Sequence, residues 1–216
     1  MNSSIKHTTY PLAEERINIA SHALGFLLSI AAIILLTIKA SDALAIVSVS
    51  VFAVSLIALY GASTIYHSTS NVARRAWLRT VDHAMIYVLI AGTYTPFCLL
   101  ILKGTVGWTI FAVTWGMAAA GITLKLFYTG HYDKLSTAMY VFMGWMIVFA
   151  IKPLIANFPP EGLSWLFAGG ISYTVGALAY SFKKLPYGHA IFHIFCLVGS
   201  ACHFVSVYFF VLAPIS

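Results

Sequence analysis

The chain has 216 residues, of which 61% are hydrophobic and only 8% are charged, with a net charge of +6. Soluble domains carry about 25% charged residues, so this composition excludes an ordinary soluble protein and indicates that lipid is the main solvent. The basic residues are scattered between apolar runs, so we expect no nucleic-acid partner. The length fits one domain, and the 3 cysteines lie inside apolar runs with no metal-binding or disulfide pattern.

Seven apolar runs have the length that a helix needs to cross a bilayer, about 20 residues. They cover residues 17–38, 44–66, 81–102, 106–127, 137–156, 163–182 and 190–212. The sequence therefore predicts an all-α integral membrane protein. We expect a polar cytoplasmic tail (residues 1–16) followed by one seven-helix transmembrane domain (residues 17–216).

The basic residues also predict an orientation. With the N-terminus in the cytoplasm, nine of the 12 lysines and arginines fall inside and three fall outside, which is a positive-inside bias. An odd number of spans then places the C-terminus outside. This orientation is opposite to that of G-protein-coupled receptors, and the seventh run lacks the lysine that a retinal Schiff base needs.

Ionisable side chains inside membrane helices are costly and are functional candidates by default. Most of those in this chain fall in one layer, near the cytoplasmic ends of the first, second, third and seventh helices. They are His22, His67, Asp82, His189 and His193. His203 lies about 15 Å deeper than His193, at 1.5 Å per residue. His7, His83 and His131 are interpreted as ordinary tail, loop or interface residues.

The spacing of these residues predicts a metal site. His189 and His193 are four residues apart, so they share one helix face, with Cβ atoms about 5–6 Å apart. His67 can supply a third nitrogen, with Ser63 one turn deeper on the same helix. Three histidines and a water form a typical catalytic zinc shell, and imidazole suits zinc better than Mg²⁺ or Ca²⁺. The predicted cofactor is therefore zinc.

Asp82 and Ser63 are the predicted catalytic residues. Zinc lowers the pKa of a bound water to about 7, and Asp82 could act on that water as general base and then as acid. Ser63 could hold the water or polarise a substrate carbonyl. Two plainer interpretations stay open: the histidines could face lipid headgroups, and Asp82 could cap the N-terminus of the third helix.

An ordered set of motifs extends over nearly the whole chain. It comprises EERIN at 14–18, SH at 21–22, STIYH at 63–67, DHAMIY at 82–87, AGTYTPF at 91–97, MGW at 143–145, HAIFH at 189–193 and GSACHF at 199–204. The set resembles the hemolysin III family of bacterial membrane proteins. That family belongs with the progestin and adiponectin receptor (PAQR) family and, more distantly, with alkaline ceramidases.

The resemblance implies a zinc ion bound at the positions of His67, His189 and His193, with Asp82 and Ser63 beside it. It also implies a multi-pass protein of the bacterial inner (plasma) membrane with a role in lipid homeostasis. Three further residues, Glu15, Asn18 and His22, fall on one face of the first helix. They are interpreted as a supporting shell or an entry gate.

Two functions follow as hypotheses. The first is a zinc-dependent hydrolase of a lipid amide or ester. The alternative is a sensor or receptor for lipids, fatty acids or membrane state, in which zinc is structural. Membrane lipids or fatty acids are the expected partners in both, and the oligomeric state is not predicted. A cytolysin is disfavoured because the chain looks permanently embedded, and a proton pathway because only His203 lies near the midplane.

Overall fold

The computed structural model describes residues 10–128, 133–182 and 184–213. Within these residues there is no strand, and seven helices are long and apolar enough to cross a membrane. The helices are α1 (Leu12–Lys39), α2 (Ala43–Ser68), α3 (Val72–Pro96, extended by Phe97–Leu102), α4 (Gly104–Tyr128), α5 (Asp133–Gly144, Met146–Ala150 and Ile151–Asn157), α6 (Pro160–Ser181) and α7 (Gly188–Ser206, extended by Val207–Val211). The predicted seven-helix, all-α fold class is confirmed. His7, His131 and the first nine residues of the predicted tail lie outside the described residues.

Two helices begin earlier than the apolar runs predicted. α1 begins at Leu12, five residues before the predicted start, and α3 begins at Val72. The N-cap of α3 is Asn71, whose side chain accepts a hydrogen bond from the backbone N–H of Arg74 at 3.0 Å. Asp82 therefore lies well inside α3, and its interpretation as an N-terminal cap is wrong. The reason is that hydropathy marks only the part of a helix that lipid surrounds, while the helix itself continues into polar turns.

The fifth helix is interrupted in its middle. At Trp145 the α-helical geometry gives way to a short 3₁₀ segment, so the predicted continuous run conceals a break. Tyr94 of α3 fills it: its hydroxyl donates to the Gly144 carbonyl at 2.8 Å and accepts from the Ile147 N–H at 2.9 Å. Backbone groups freed at membrane depth need such partners because lipid offers none.

The packing order brings distant parts of the chain together. α7 packs against α6 and α1, α1 packs against α2, and α2 packs against α3. Successive helices run in opposite directions, so the starts of α1, α3 and α7 and the end of α2 meet at one end of the bundle. We call this end the histidine end. Away from it the core is apolar, with Leu36, Phe52 and Val207 completely buried.

A glycine sets the close approach of α2 and α3. A Cβ atom added at Gly92 would overlap the Ser55 side chain and lie 3.3 Å from the Val51 carbonyl oxygen. We expect Gly92→Val to lower the midpoint of thermal unfolding in detergent, because overpacking costs about 1–3 kcal/mol. Gly116→Val is the matched control, because a Cβ there meets nothing within 4 Å. Equal shifts in the two variants would contradict this account of the α2–α3 contact.

Candidate metal centre

Three histidine side chains converge at the histidine end. The Nε2 atom of His189 lies 3.1 Å from Nε2 of His67 and 3.0 Å from Nε2 of His193. All three residues are buried, and their candidate ligand atoms lie within 4.8 Å of one another. A tetrahedral zinc ion with bonds of about 2.0–2.1 Å requires nitrogens about 3.3 Å apart. Both pairs that include His189 are therefore close to the spacing of zinc ligands, and the donor set fits zinc.

Hydrogen bonds on the far side of two rings fix where their lone pairs point. Nδ1 of His67 lies 2.9 Å from Glu15 Oε2, and Nδ1 of His193 lies 3.3 Å from the Asn18 carbonyl oxygen. Both oxygens accept, so each Nδ1 carries the hydrogen and each Nε2 lone pair faces the centre. Nε2 of His189 carries at most one hydrogen, and it faces the Nε2 lone pairs of both His67 and His193. A metal cation at the centre would accept the lone pairs of all three nitrogens, so no hydrogen would be needed between them.

Glu14, the neighbour of Glu15, positions the third ring. Its Oε1 accepts from the backbone N–H of His189 at 3.1 Å and from that of Ala190 at 3.4 Å. The N-cap residue of α7, Tyr187, provides no side-chain cap of its own. The first N–H groups of a helix have no partner within that helix, so a buried carboxylate of α1 caps α7 at the turn that carries His189.

Arg75 connects Glu15 of α1 to the end of α2. Its guanidinium donates to Glu15, to the Thr69 carbonyl at 3.1 Å and, more weakly, to the His67 carbonyl at 3.5 Å. It also lies over the Tyr66 ring, 4.8 Å from the ring centroid. Arg75 therefore ties the last turn of α2, which presents His67, to the first turn of α1.

Two aromatic rings cover the ligands. His22 stacks on His193, with ring centroids 3.5 Å apart and planes inclined by 8°. Tyr10, which precedes α1, stacks on His189 with centroids 4.6 Å apart and planes inclined by 18°. Burial raises the pKa of the Tyr10 hydroxyl, so this ring is a neutral cover. Tyr10 closes the centre from the polar side, and His22 packs against it from within the bundle.

Asp82 and Ser63 lie near the candidate ligands. Both side chains are buried. Asp82 interacts electrostatically with His67, and its carboxylate lies near the Ser63 hydroxyl. Within the described chain Ser63 Oγ does not reach hydrogen-bond geometry with any group. An acid and a hydroxyl therefore stand next to a three-nitrogen site, and that hydroxyl can donate to a bound molecule.

A cavity extends from this centre into the bundle. Asp82, His189 and His193 form its wall at the histidine end, and Trp145 and His203 form its wall farther in. Most of the remaining wall is apolar, from α3, α5, α6 and α7. The arrangement gives an extended hydrophobic chain a place to lie with its polar end at the histidines.

Two other histidines are placed by the structure. His83 was interpreted as an ordinary loop or interface residue, and this is wrong: it is a buried residue of α3 that lines the cavity. His203 lies deep in the bundle, where its Nε2 donates to the Leu166 carbonyl at 3.1 Å. Its ring therefore stands apart from the metal ligands.

The structure brings together all eight site residues that the sequence singled out. They are the ligand candidates His67, His189 and His193, the acid Asp82, the hydroxyl of Ser63, and the surrounding Glu15, Asn18 and His22. Sequence reasoning missed Glu14, Tyr10 and Arg75. The sequence contained an indication for Glu14, because two adjacent acidic residues precede a long apolar run. Arg75 could not be distinguished from the other basic residues that predict the orientation in the membrane. The sequence contained no indication for Tyr10.

Comparisons with known proteins identify the family. The sequence pattern of the family described as "Haemolysin-III related" matches residues 10–204. The chain belongs to this family. It is 44% identical to Hemolysin-3 of Bacillus cereus over 100% of both chains. It is 45% identical to the Hemolysin-3 homolog of Bacillus subtilis (strain 168), over 93% of this chain and 96% of the relative.

A distant relative supports the wider grouping. The haemolysin-III related chain is 27% identical to the monocyte to macrophage differentiation factor of Homo sapiens, over 96% of this chain and 87% of the relative. The predicted hemolysin III membership and its link to PAQR-type proteins are therefore confirmed. No solved structure matches the chain significantly. The family match includes every residue of the metal centre.

The ligand assignment predicts a metal content. We expect purified protein to hold about one zinc ion per chain, because three nitrogen donors and one open position make a complete zinc site. His67→Ala, His189→Ala and His193→Ala each remove a donor and are expected to lower the metal content to background in mass-spectrometric elemental analysis. His203→Ala is the control and should retain the metal. Full retention in all three ligand variants would refute the assignment.

The position of Tyr10 predicts slow metal exchange. Tyr10→Ala opens the polar side of the centre, and we expect it to speed zinc loss to a chelator by about tenfold, the lower range for groups that surround metal ligands. Tyr10→Phe keeps the stacked ring and should exchange as slowly as the parent. The rates are followed with a chromogenic chelator. If all three proteins lose zinc at one rate, Tyr10 does not cover the site.

Proposed function

We propose that this membrane protein is a zinc-dependent hydrolase of a lipid amide or ester that serves lipid homeostasis in the bacterial inner (plasma) membrane. The proposal rests on one observation: a buried three-histidine centre, with Asp82 and Ser63 beside it, opens onto a largely apolar cavity inside a membrane bundle. Such a cavity buries an acyl chain favourably, at about 0.8 kcal/mol per methylene. The reacting carbonyl then lies at the polar end.

The side chains have distinct tasks in this reaction. Zinc, when bound, supplies a Lewis acid and favours ionisation of water. Asp82 takes a proton from the attacking water as its oxygen bonds to the acyl carbon, and returns a proton to the nitrogen or oxygen that leaves. Ser63 donates a hydrogen bond to the carbonyl oxygen as negative charge develops there. The products are a fatty acid and an amine or alcohol.

The surrounding residues orient this machinery. Glu15 and the Asn18 carbonyl keep the hydrogens of His67 and His193 on Nδ1, which leaves Nε2 available as a ligand. His22 packs flat on His193 and restricts rotation of that ring. The earlier interpretation of these residues as a supporting shell is therefore the one we propose, in preference to an entry gate.

A second candidate is a lipid or fatty-acid sensor with a structural zinc. The observation that favours it is the way in which the centre joins separate helices. His67 lies on α2, His189 and His193 lie on α7, and the residues that hold them come from α1 and α3. A molecule in the cavity would press on the same helices, so occupancy could change their packing.

Asp82→Asn separates the two candidates. The amide has the size of the carboxylate but cannot accept the proton, and general acid–base catalysis contributes about 10²–10⁴-fold. We therefore expect the variant to keep its zinc and to lose at least about 100-fold in the release of fatty acid from a total membrane-lipid extract. Release is measured by lipid mass spectrometry with purified protein. If the variant keeps its zinc and still releases fatty acid at the parent's rate, or still replaces the parent protein fully in cells, catalysis by Asp82 is excluded and the sensor is favoured.

A further inference from the structure

His203 is a polar residue in the inner, largely apolar part of the bundle. It belongs to the GSACHF motif at 199–204, which contributes no ligand to the metal centre. The residue is only 7% exposed. At 1.5 Å of helix rise per residue it lies about 15 Å from His193 along α7, so it is too far away to bind the same metal ion. An ionisable residue at such a depth is a candidate for a function of its own.

Three residues of α6 fix the orientation of the His203 ring. Nε2 lies 3.1 Å from the Leu166 carbonyl oxygen. Gly169 leaves the space that the ring occupies, because a Cβ atom added there would overlap Cδ2 and Nε2. The Tyr173 ring packs against the imidazole, with centroids 5.5 Å apart. The contacts hold the Nε2 edge of the ring against α6.

The other nitrogen of His203 is a hydrogen-bond acceptor with no partner in the described chain. A charged ring would be costly in this apolar region, and the neutral ring carries one hydrogen. That hydrogen is on Nε2, because the Leu166 carbonyl can only accept. Nδ1 therefore has a lone pair, and it makes no hydrogen bond to any described group. A bound molecule that carries a hydroxyl group can donate to it.

His203 stands where two cavities adjoin. It lines the large cavity that begins at the histidine centre. It also lines a smaller cavity, whose wall includes Phe97, Ile147 and Phe167. Trp145 likewise lines both. An acyl chain that starts at the histidines and passes His203 can therefore continue into an apolar space beyond it.

We infer that His203 accepts a hydrogen bond from a hydroxyl group in the middle of the acyl chain, so that the cavity selects a mid-chain hydroxy fatty acyl lipid. The inference rests on the proposed function, which places the acyl carbonyl at the histidine centre. C–C bonds of about 1.5 Å advance an extended chain by about 1.3 Å each, so about 15 Å corresponds to about 12 carbons. The remaining carbons occupy the smaller cavity. A plain chain would leave Nδ1 unpaired, and unpaired buried polar groups are costly.

Three fatty acids of one length test the inference: stearate, 7-hydroxystearate and 12-hydroxystearate. Equilibrium binding of radiolabelled fatty acid is measured with purified, zinc-loaded protein in a non-ionic detergent. The two hydroxy acids are isomers, so only the position of the hydroxyl group distinguishes them. We expect 12-hydroxystearate to bind about fivefold tighter or more than 7-hydroxystearate, as one buried hydrogen bond allows.

Two variants locate the preference. His203→Phe keeps a flat ring against Gly169 and removes both nitrogens, so it should bind stearate as the parent does and bind the two isomers equally. Thr93→Val is the control, because Thr93 also lines both cavities, and it should keep the preference. Unchanged stearate binding shows that each variant is folded. The comparison of isomers in the parent protein decides the question even without the variants.

The outcomes separate this inference from the function on which it rests. If the parent binds the two isomers equally or prefers 7-hydroxystearate, or if His203→Phe keeps the preference, the role of His203 is refuted, while stearate binding leaves the proposed function standing. If none of the three fatty acids binds, both are refuted. A preference for 12-hydroxystearate that only His203→Phe removes supports the inference.

Discussion

Glu14 and Glu15, adjacent residues in the first turn of α1, each bind a different helix of the bundle. Glu15 holds Nδ1 of His67 on α2, and Glu14 caps the start of α7 where His189 lies. Through Arg75, Glu15 also binds the first turns of α3. Buried imidazole and backbone N–H groups need a hydrogen-bond partner, so these contacts determine where the ends of α2 and α7 meet. The convergence of the three Nε2 atoms depends on this double carboxylate.

The arrangement divides the molecule into a polar end and an apolar interior. At the histidine end, two glutamates and an arginine hold the imidazoles in place, while the cavity behind them offers mainly hydrocarbon contact. This division suits an amphiphile whose chain enters the bundle and whose polar group stops at the metal centre. In the proposed reaction, Asp82 and Ser63 act on the polar end of that amphiphile.

Much of the fold could be predicted from the sequence, because run length and helical spacing are local properties. The interval of four residues between His189 and His193, and between Ser63 and His67, placed each pair on one helix face, and the shared depth placed them in one layer. The start of α3 could not be obtained from hydropathy, because its first turns are polar. No local sequence pattern predicts contacts between distant segments of the chain. Such contacts define the roles of Glu14, Tyr10 and Arg75.

X-ray absorption spectroscopy of zinc in the purified, detergent-solubilised protein reports the atoms that are bound to the metal. A centre formed by three histidines predicts a four-coordinate site with three imidazole nitrogens and one further light atom at about 2.0–2.1 Å. It also predicts that His189→Ala removes this signal. A spectrum dominated by sulfur ligands, or a six-coordinate oxygen shell with the same appearance in the variant, would contradict a zinc centre formed by His67, His189 and His193.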